Sequence, residues 1–229
     1  MQPIKRLRRI TRAAGLLTLI TAGAANANLI SNGSFESAAA GFSGGPGRQY
    51  YVAGINGTSI SDWTLEGTGD VYLHLTPDIG NVLGQQFNFS QLGNQYLDLS
   101  GGSGGGTSGN HATIFQDFVT TPSDNYELSF FVGAAYSPLP SINVQLAGAS
   151  SILDQTVSAT APATNIVWTR MSFQFVADSA TTRLSFRDIS GVDDNYSFVD
   201  NVSVSAIPEP ATALLVGLGL VGMAAGRRV

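Results

Sequence analysis

The side chains in this chain that could do chemistry are carboxylates and aromatic rings. There are two histidines, His74 and His111, and no cysteine. Thiol catalysis and cysteine–zinc sites are therefore excluded. No Gly-x-Ser-x-Gly elbow and no His-Glu-x-x-His pair occurs, so nucleophilic serine and zinc-hydrolase chemistry lack their usual carriers. His74 alternates with Tyr72 in a strand-like run, where a lone histidine is a structural residue. His111 closes a glycine-rich stretch without an evident partner. Glycosidic hydrolysis needs only two carboxylates. Fifteen lie between residues 28 and 206, and spacing singles out no pair. The reading is of a chain that is not an enzyme, with a glycan-active enzyme as the alternative.

Asp200 stands apart from the other acids. By strict alternation Phe198, Asp200, Val202 and Val204 share one face of a strand. A carboxylate among apolar neighbours must find a partner or keep its proton. That partner is either a set of backbone amides from the opening segment or a bound cation. The Asp193-Asp194 pair, with Asp188 nearby, reads as a solvated turn.

The aromatic residues point to another chemistry, because sugar rings stack on flat apolar faces. Tyr50 and Tyr51, beside a glycine-rich stretch at 41–47, form one candidate platform. Trp63 and Trp168 are the others, with Trp63 favouring the core. Trp168 is out of phase with Val167, Met171, Phe173 and Phe175. Either a β-bulge turns it inward, or it stands on an open sheet face.

The elements that must hold these residues are strands. Short alternating runs between Gly, Pro, Asn, Asp and Ser clusters predict strands at 71–75, 95–99, 112–119, 126–133, 142–146, 152–157, 166–176, 182–186 and 198–205. No stretch of this region has a helical period. Nine short antiparallel strands in about 180 residues make an all-β fold, a two-sheet jelly-roll β-sandwich. The Gly-Ser-Thr-rich segment 100–110 reads as a long loop.

Both ends differ from the middle. Lys5, Arg6, Arg8, Arg9 and Arg12 precede an apolar run, and Ala25-Asn26-Ala27 fits small-x-small cleavage. A signal peptide helix over 1–27 is predicted, leaving Asn28 as the first mature residue. At the other end, Pro208-Glu209-Pro210 precedes sixteen uncharged residues and then Arg227-Arg228. Sixteen residues make about 24 Å of helix, marginal against the ~20 residues of a comfortable span. The arginine pair would stay on the cytoplasmic side. Without these ends the chain keeps Arg48, Arg170, Arg183 and Arg187 against fifteen acids, a net charge near −11. Such a surface repels nucleic acid and suits divalent cations.

The closing segment resembles the PEP-CTERM sorting signal of Gram-negative bacteria, through Pro208, Glu209, Pro210, the apolar stretch, and Arg227 and Arg228. That resemblance implies export to the cell envelope, cell surface or extracellular matrix. It also implies the secretion machinery and an exosortase as partners, transient membrane insertion through 211–226, and association with biofilm polysaccharide. The mature chain opens N-L-I-S-N-G-S-F-E at Asn28, has an early Trp63, and closes F-V-D-N-V-S-V at Phe198. These motifs resemble the galactose-binding-like jelly rolls, which include many carbohydrate-binding modules. In several of these the opening Glu and closing Asp help hold a structural calcium, which implies Glu36 and Asp200 here. The expected organisation is a signal peptide at 1–27, a β-sandwich at 28–206, and a sorting segment with a hydrophobic helix at 207–229. The expected function is a non-enzymatic structural or carbohydrate-adhering matrix component. A calcium-dependent lectin-like protein is a further alternative.

Overall fold

The computed structural model describes residues 27–37, 42–43, 48–52, 60–67, 69–75, 93–100, 112–134, 140–160, 166–190 and 197–208. The predicted flanking helices, His111, Asp193 and Asp194 lie outside them. No described helix is long and apolar enough to cross a membrane.

Twelve strands form two antiparallel sheets. They are β1 (Phe42–Ser43), β2 (Arg48–Val52), β3 (Thr64–Glu66), β4 (Asp70–Leu75), β5 (Gln95–Asp98), β6 (Thr113–Val119), β7 (Asn125–Ala134), β8 (Ile142–Ala147), β9 (Ser151–Val157), β10 (Val167–Val176), β11 (Thr181–Asp188) and β12 (Ser197–Ala206). The large sheet runs β1-β2-β4-β5-β12-β7-β10 and the small sheet β3-β6-β11-β8-β9. The protein is a two-sheet jelly-roll β-sandwich. All nine predicted strands are present. β1, β2 and β3 are not among the predicted strands: β1 and β3 are only two and three residues long, and β1 lies inside the glycine-rich stretch at 41–47.

Alternation builds the core. Leu128, Phe130 and Val132 of β7 face Ile114 of β6, Leu184 and Phe186 of β11, and Val144 and Leu146 of β8 in one buried cluster. Met171 and Phe173 of β10 pack against its margin. Trp63 belongs to this core and is 2% exposed. Its ring lies 5.4 Å from Phe35 and 6.3 Å from Phe186, and its Nε1 donates to the Asn32 carbonyl at 3.1 Å. The ligand-platform assignment of Trp63 is therefore corrected: packing leaves it no face for a ligand.

The opening segment is stitched to β12. Asn28 Oδ1 accepts from the amides of Ile30 and Val204, both at 3.0 Å. The Leu29 amide donates to the Val204 carbonyl and the Val202 amide to the Gly33 carbonyl, each at 2.8 Å. Gly33 is required there, because a Cβ would sit 2.0 Å from the Val202 oxygen. Asn32, at φ 47°, ties the following turn to the Ser37 and Ser61 carbonyls.

β12 itself breaks alternation. Its register against β7 shifts between Asp200 and Ser203, and Asn201 takes φ 48°. The bulge puts Val199, Val202 and Val204 in the core, while Phe198 and Asp200 turn to the opposite side of the large sheet. The expectation that Phe198, Asp200, Val202 and Val204 share a face is corrected accordingly.

Candidate functional site on the outer face of the large sheet

The face of the large sheet turned away from the core carries the chemistry. One cross-strand row runs Tyr50, Tyr72, Asp98, Phe198, Gly133, Trp168 across six strands. Directly opposed residues in antiparallel strands share a face, so the row lies on one side. The next row holds His74 and Tyr96, and Asp200 stands opposite Phe131. Tyr51 pairs with the core residue Val71. The side chains of Tyr50 and Tyr51 lie outside the described residues.

Rings cluster on this face. The His74 ring stacks on Tyr96 at 4.9 Å and 5°. Phe198 meets Tyr96 edge-on at 4.9 Å, and Trp168 meets Tyr96 edge-on at 5.6 Å. β10 pairs with β7 in unbroken register from Val167 to Val176, so the bulge that would turn Trp168 inward does not exist. Instead, the indole lies across Gly133. A Cβ there would come within 2.8 Å of Trp168 Cε3 and Cζ3 and 2.9 Å of Ile166 Cγ2. Glycine at this position gives the ring its bed.

Polar groups are set among the rings. His74 Nε2 lies 3.1 Å from Asp98 Oδ2. The other Asp98 oxygen accepts from Ser100 N at 2.9 Å and Ser100 Oγ at 2.7 Å. Asp98 thereby fixes the imidazole while both its own oxygens are occupied. Among the described residues, four buried polar atoms on this face have no hydrogen-bond partner: His74 Nδ1, Asp70 Oδ2, Asp200 Oδ2 and Trp168 Nε1. Buried polar atoms are nearly always satisfied, so four orphans on one face mark a place built for a ligand or for water.

Asp200 is fully buried. Among the described residues its one hydrogen bond is Oδ1 accepting from the Asn201 amide at 2.6 Å, not from the opening segment. Burial pushes its carboxyl up to about 8, the Asn201 amide opposes this, and the charge of Glu36 adds to it. Glu36 lies within electrostatic reach of Asp200. Glu36 is exposed and uses Oε1 to accept from Asn94 N at 2.6 Å and Gln95 N at 2.9 Å. Among the described residues no three acidic or histidine groups gather as a metal cluster.

Sequence reasoning missed His74, Asp98, Asp70 and Tyr96. Their signal was present: Asp70, Tyr72 and His74 alternate with Val71 and Leu73, and Tyr96 and Asp98 alternate with Leu97. What no sequence gives is that β4, β5, β12 and β10 set these residues in adjacent rows. Of the routing residues, Ala27 and Pro208 are exposed. Ala25, Glu209, Pro210, Arg227 and Arg228 lie outside the described residues.

Fold and face together define an all-β sandwich with one aromatic, carboxylate-bearing sheet face. The chain belongs to the DUF642 family, described as a protein of unknown function, which residues 28–205 match. Residues 206–229 match the PEP-CTERM protein-sorting motif, which marks the protein for export and surface attachment in Gram-negative bacteria. No curated protein matches the chain. Similar solved structures include the bacteriophage CBA120 tailspike protein 4 enzymatically active domain, at 15% identity and TM-score 0.46, covering 79% of this chain and 21% of that one. A family 35 carbohydrate binding module from Clostridium thermocellum is similar at 11% identity and TM-score 0.40, covering 69% and 96%. TmCBM61 in complex with beta-1,4-galactotriose is similar at 11% identity and TM-score 0.44, covering 79% and 99%. The chain spans about a fifth of the tailspike's length.

Proposed function

We propose that this protein is a non-enzymatic adhesin of the extracellular matrix that holds polysaccharide on the outer face of its large sheet. The observation that carries the reading is the set of four partnerless buried polar atoms beside the Trp168, Tyr96, His74 and Phe198 rings. The half-buried Trp168 ring offers stacking surface to the apolar face of a sugar, while Tyr96, His74 and Phe198, at most 2% exposed, back it from beneath. Two carboxylate oxygens, an indole N–H and an imidazole nitrogen offer hydroxyl partners of both polarities. The sorting motif supplies the destination, where polysaccharide is the abundant polymer.

A glycan array on the exported protein, followed by calorimetry on the best ligand, tests the reading. Trp168→Ala should weaken binding on the order of tenfold and leave the fold intact. No binding to any glycan would reject it. Shortening of a bound glycan, abolished by Asp98→Asn or Asp200→Asn, would transfer the reading to a glycan-active enzyme.

A calcium ion at Glu36 and Asp200 belongs to the same proposal. The orphaned Asp200 Oδ2 and the nearby Glu36 carboxylate suit a hard cation. Backbone carbonyls must supply the remaining oxygens of a six-to-eight-coordinate ion. Bound there, calcium would supply charge that allows Asp200 to ionise in place. Melting curves in calcium and in EDTA test this: a higher melting temperature in calcium is expected, and identical curves remove the ion.

A further inference from the structure

We infer that the open edge of β10 pairs with the β10 edge of a second copy of this chain, joining two large sheets into one continuous sheet. Among the described residues β10 has a strand partner on one side only, β7. The ten-residue run Val-Trp-Thr-Arg-Met-Ser-Phe-Gln-Phe-Val contains one charge, no proline and no glycine. A long edge of that composition is a template for another strand. Folded proteins blunt such edges with lysines, prolines or bulges, and β10 has none of these. Val167 and Val176, at its two ends, are 43% and 51% exposed and are two of the four large exposed apolar residues described. Between them Met171 and Phe173 are only half-buried, although they face the core side.

Symmetry fixes the register closely. Two antiparallel copies of one strand are related by a two-fold axis perpendicular to the sheet, and directly opposed residues must share a face. Core-side residues can therefore oppose only core-side residues. Centring on Arg170 would set two guanidiniums against each other. Centring on Ser172 sets Met171 against the partner's Phe173 twice, Trp168 against the partner's Val176 twice, and Arg170 against the partner's Gln174 twice. No like charges meet, and the half-exposed apolar residues cover one another. Arg170 is already held by Glu127 at 3.4 Å on its own sheet, so the edge itself stays close to neutral. A single strand pair lies at the small end of specific interfaces, so the dimer is weak in dilute solution and favoured where surface attachment crowds the copies. The axis keeps both outer faces on the same side. The two Trp168 residues then lie on the same side of the joined sheet, eight positions or about 26 Å apart along the strands, and each gains the partner's Val176 as a neighbour. One polymer could engage both, which raises avidity without a new contact type.

The experiment uses the exported protein, whose chain has no cysteine of its own. Sedimentation velocity from micromolar to millimolar concentration should show reversible dimerisation. Gln174→Arg, at an exposed position, puts two like-charge pairs across the axis and should weaken the dimer between about twofold and thirtyfold. Gln174→Glu should tighten it; because Gln174 stands opposite Glu127 of β7, the monomer's melting temperature should rise slightly with arginine and fall slightly with glutamate, opposite in sense to the effect on the dimer. Ser172→Cys should oxidise to a linked dimer, since opposed Cα atoms at roughly 4.5–5.5 Å suit a disulfide, and Gln174→Cys should not. A chain that stays monomeric at millimolar concentration, charge variants that behave alike, or cross-linking equal at 172 and 174 would overturn the inference.

Discussion

Asp200 has lost its water and kept one hydrogen bond, to the amide of the next residue. Its carboxyl is raised to about 8, chiefly by burial. A raised carboxyl favours folding fully below the unfolded value of 3.8, and that contribution is lost as pH rises through about 8. Without calcium, Asp200→Asn should therefore leave stability at pH 4 nearly unchanged and raise it at pH 8, because the amide has no charge to desolvate. In calcium the same variant should lose whatever stabilisation the ion provides. Chemical denaturation at the two pH values, with and without calcium, reads both effects. A variant less stable than the parent at pH 8 in EDTA would show that the carboxylate has a partner the geometry does not supply.

At the scale of elements, two strands owe their function to a residue with no side chain and a loop owes its shape to one carboxylate. Gly133 of β7 lies under the Trp168 ring of β10, and Gly133→Ala would push a methyl group to within 2.8 Å of it. The expected result is a destabilisation of about 1–3 kcal/mol, with a shifted tryptophan emission and weakened glycan binding. Asp178, between β10 and β11, accepts from the amides of Ala149 and Ser150 at 2.9 and 2.8 Å and from Ser150 Oγ at 2.7 Å. It thereby clamps the β8–β9 hairpin. Gly148 makes room, since a Cβ there would lie 2.0 Å from Asp178 Oδ1. Asp178→Ala should lower the melting temperature and speed amide exchange at 149 and 150. The strands were legible because alternation is local: the β7 and β10 patterns stand in the sequence residue by residue. The break after Asp200 was not, because Asn201 adopts φ 48° under the grip of the opening segment, which is 170 residues away. Trp168 was visibly out of phase, but only the pairing of β10 with β7 reveals the glycine that receives it. Asp98 and His74 are separated by 24 positions and meet only because β4 and β5 pair.

Over the whole molecule the pH response is a sum of opposed carboxylates. Arg183 holds Asp117 through two bonds of 2.7 and 3.0 Å, which lowers its pKa. Asp178 is lowered by the Ser150 hydroxyl and by backbone amides. Lowered carboxyls stabilise the fold above their unfolded value and lose that contribution as pH falls through their folded value. Asp200 acts in the other sense, losing its contribution as pH rises toward 8. Residues 28–206 also carry a charge near −11, whose self-repulsion grows as the remaining acids ionise and shrinks with salt. All three trends place the stability maximum of the calcium-free protein in the weakly acidic range, above the lowered carboxyls and below neutrality. Calcium should move that maximum toward neutral pH, by stabilising ionised Asp200 and cancelling part of the negative charge. Magnesium or moderate sodium chloride should reduce self-repulsion without moving the Asp200 limb, because only a site that accepts a large, oxygen-rich coordination shell discriminates between the two divalent ions. Thermal melts from pH 3 to pH 9 in EDTA, calcium, magnesium and salt separate these contributions. A maximum that stays put in calcium would leave the surface charge as the sole cause of the alkaline limb.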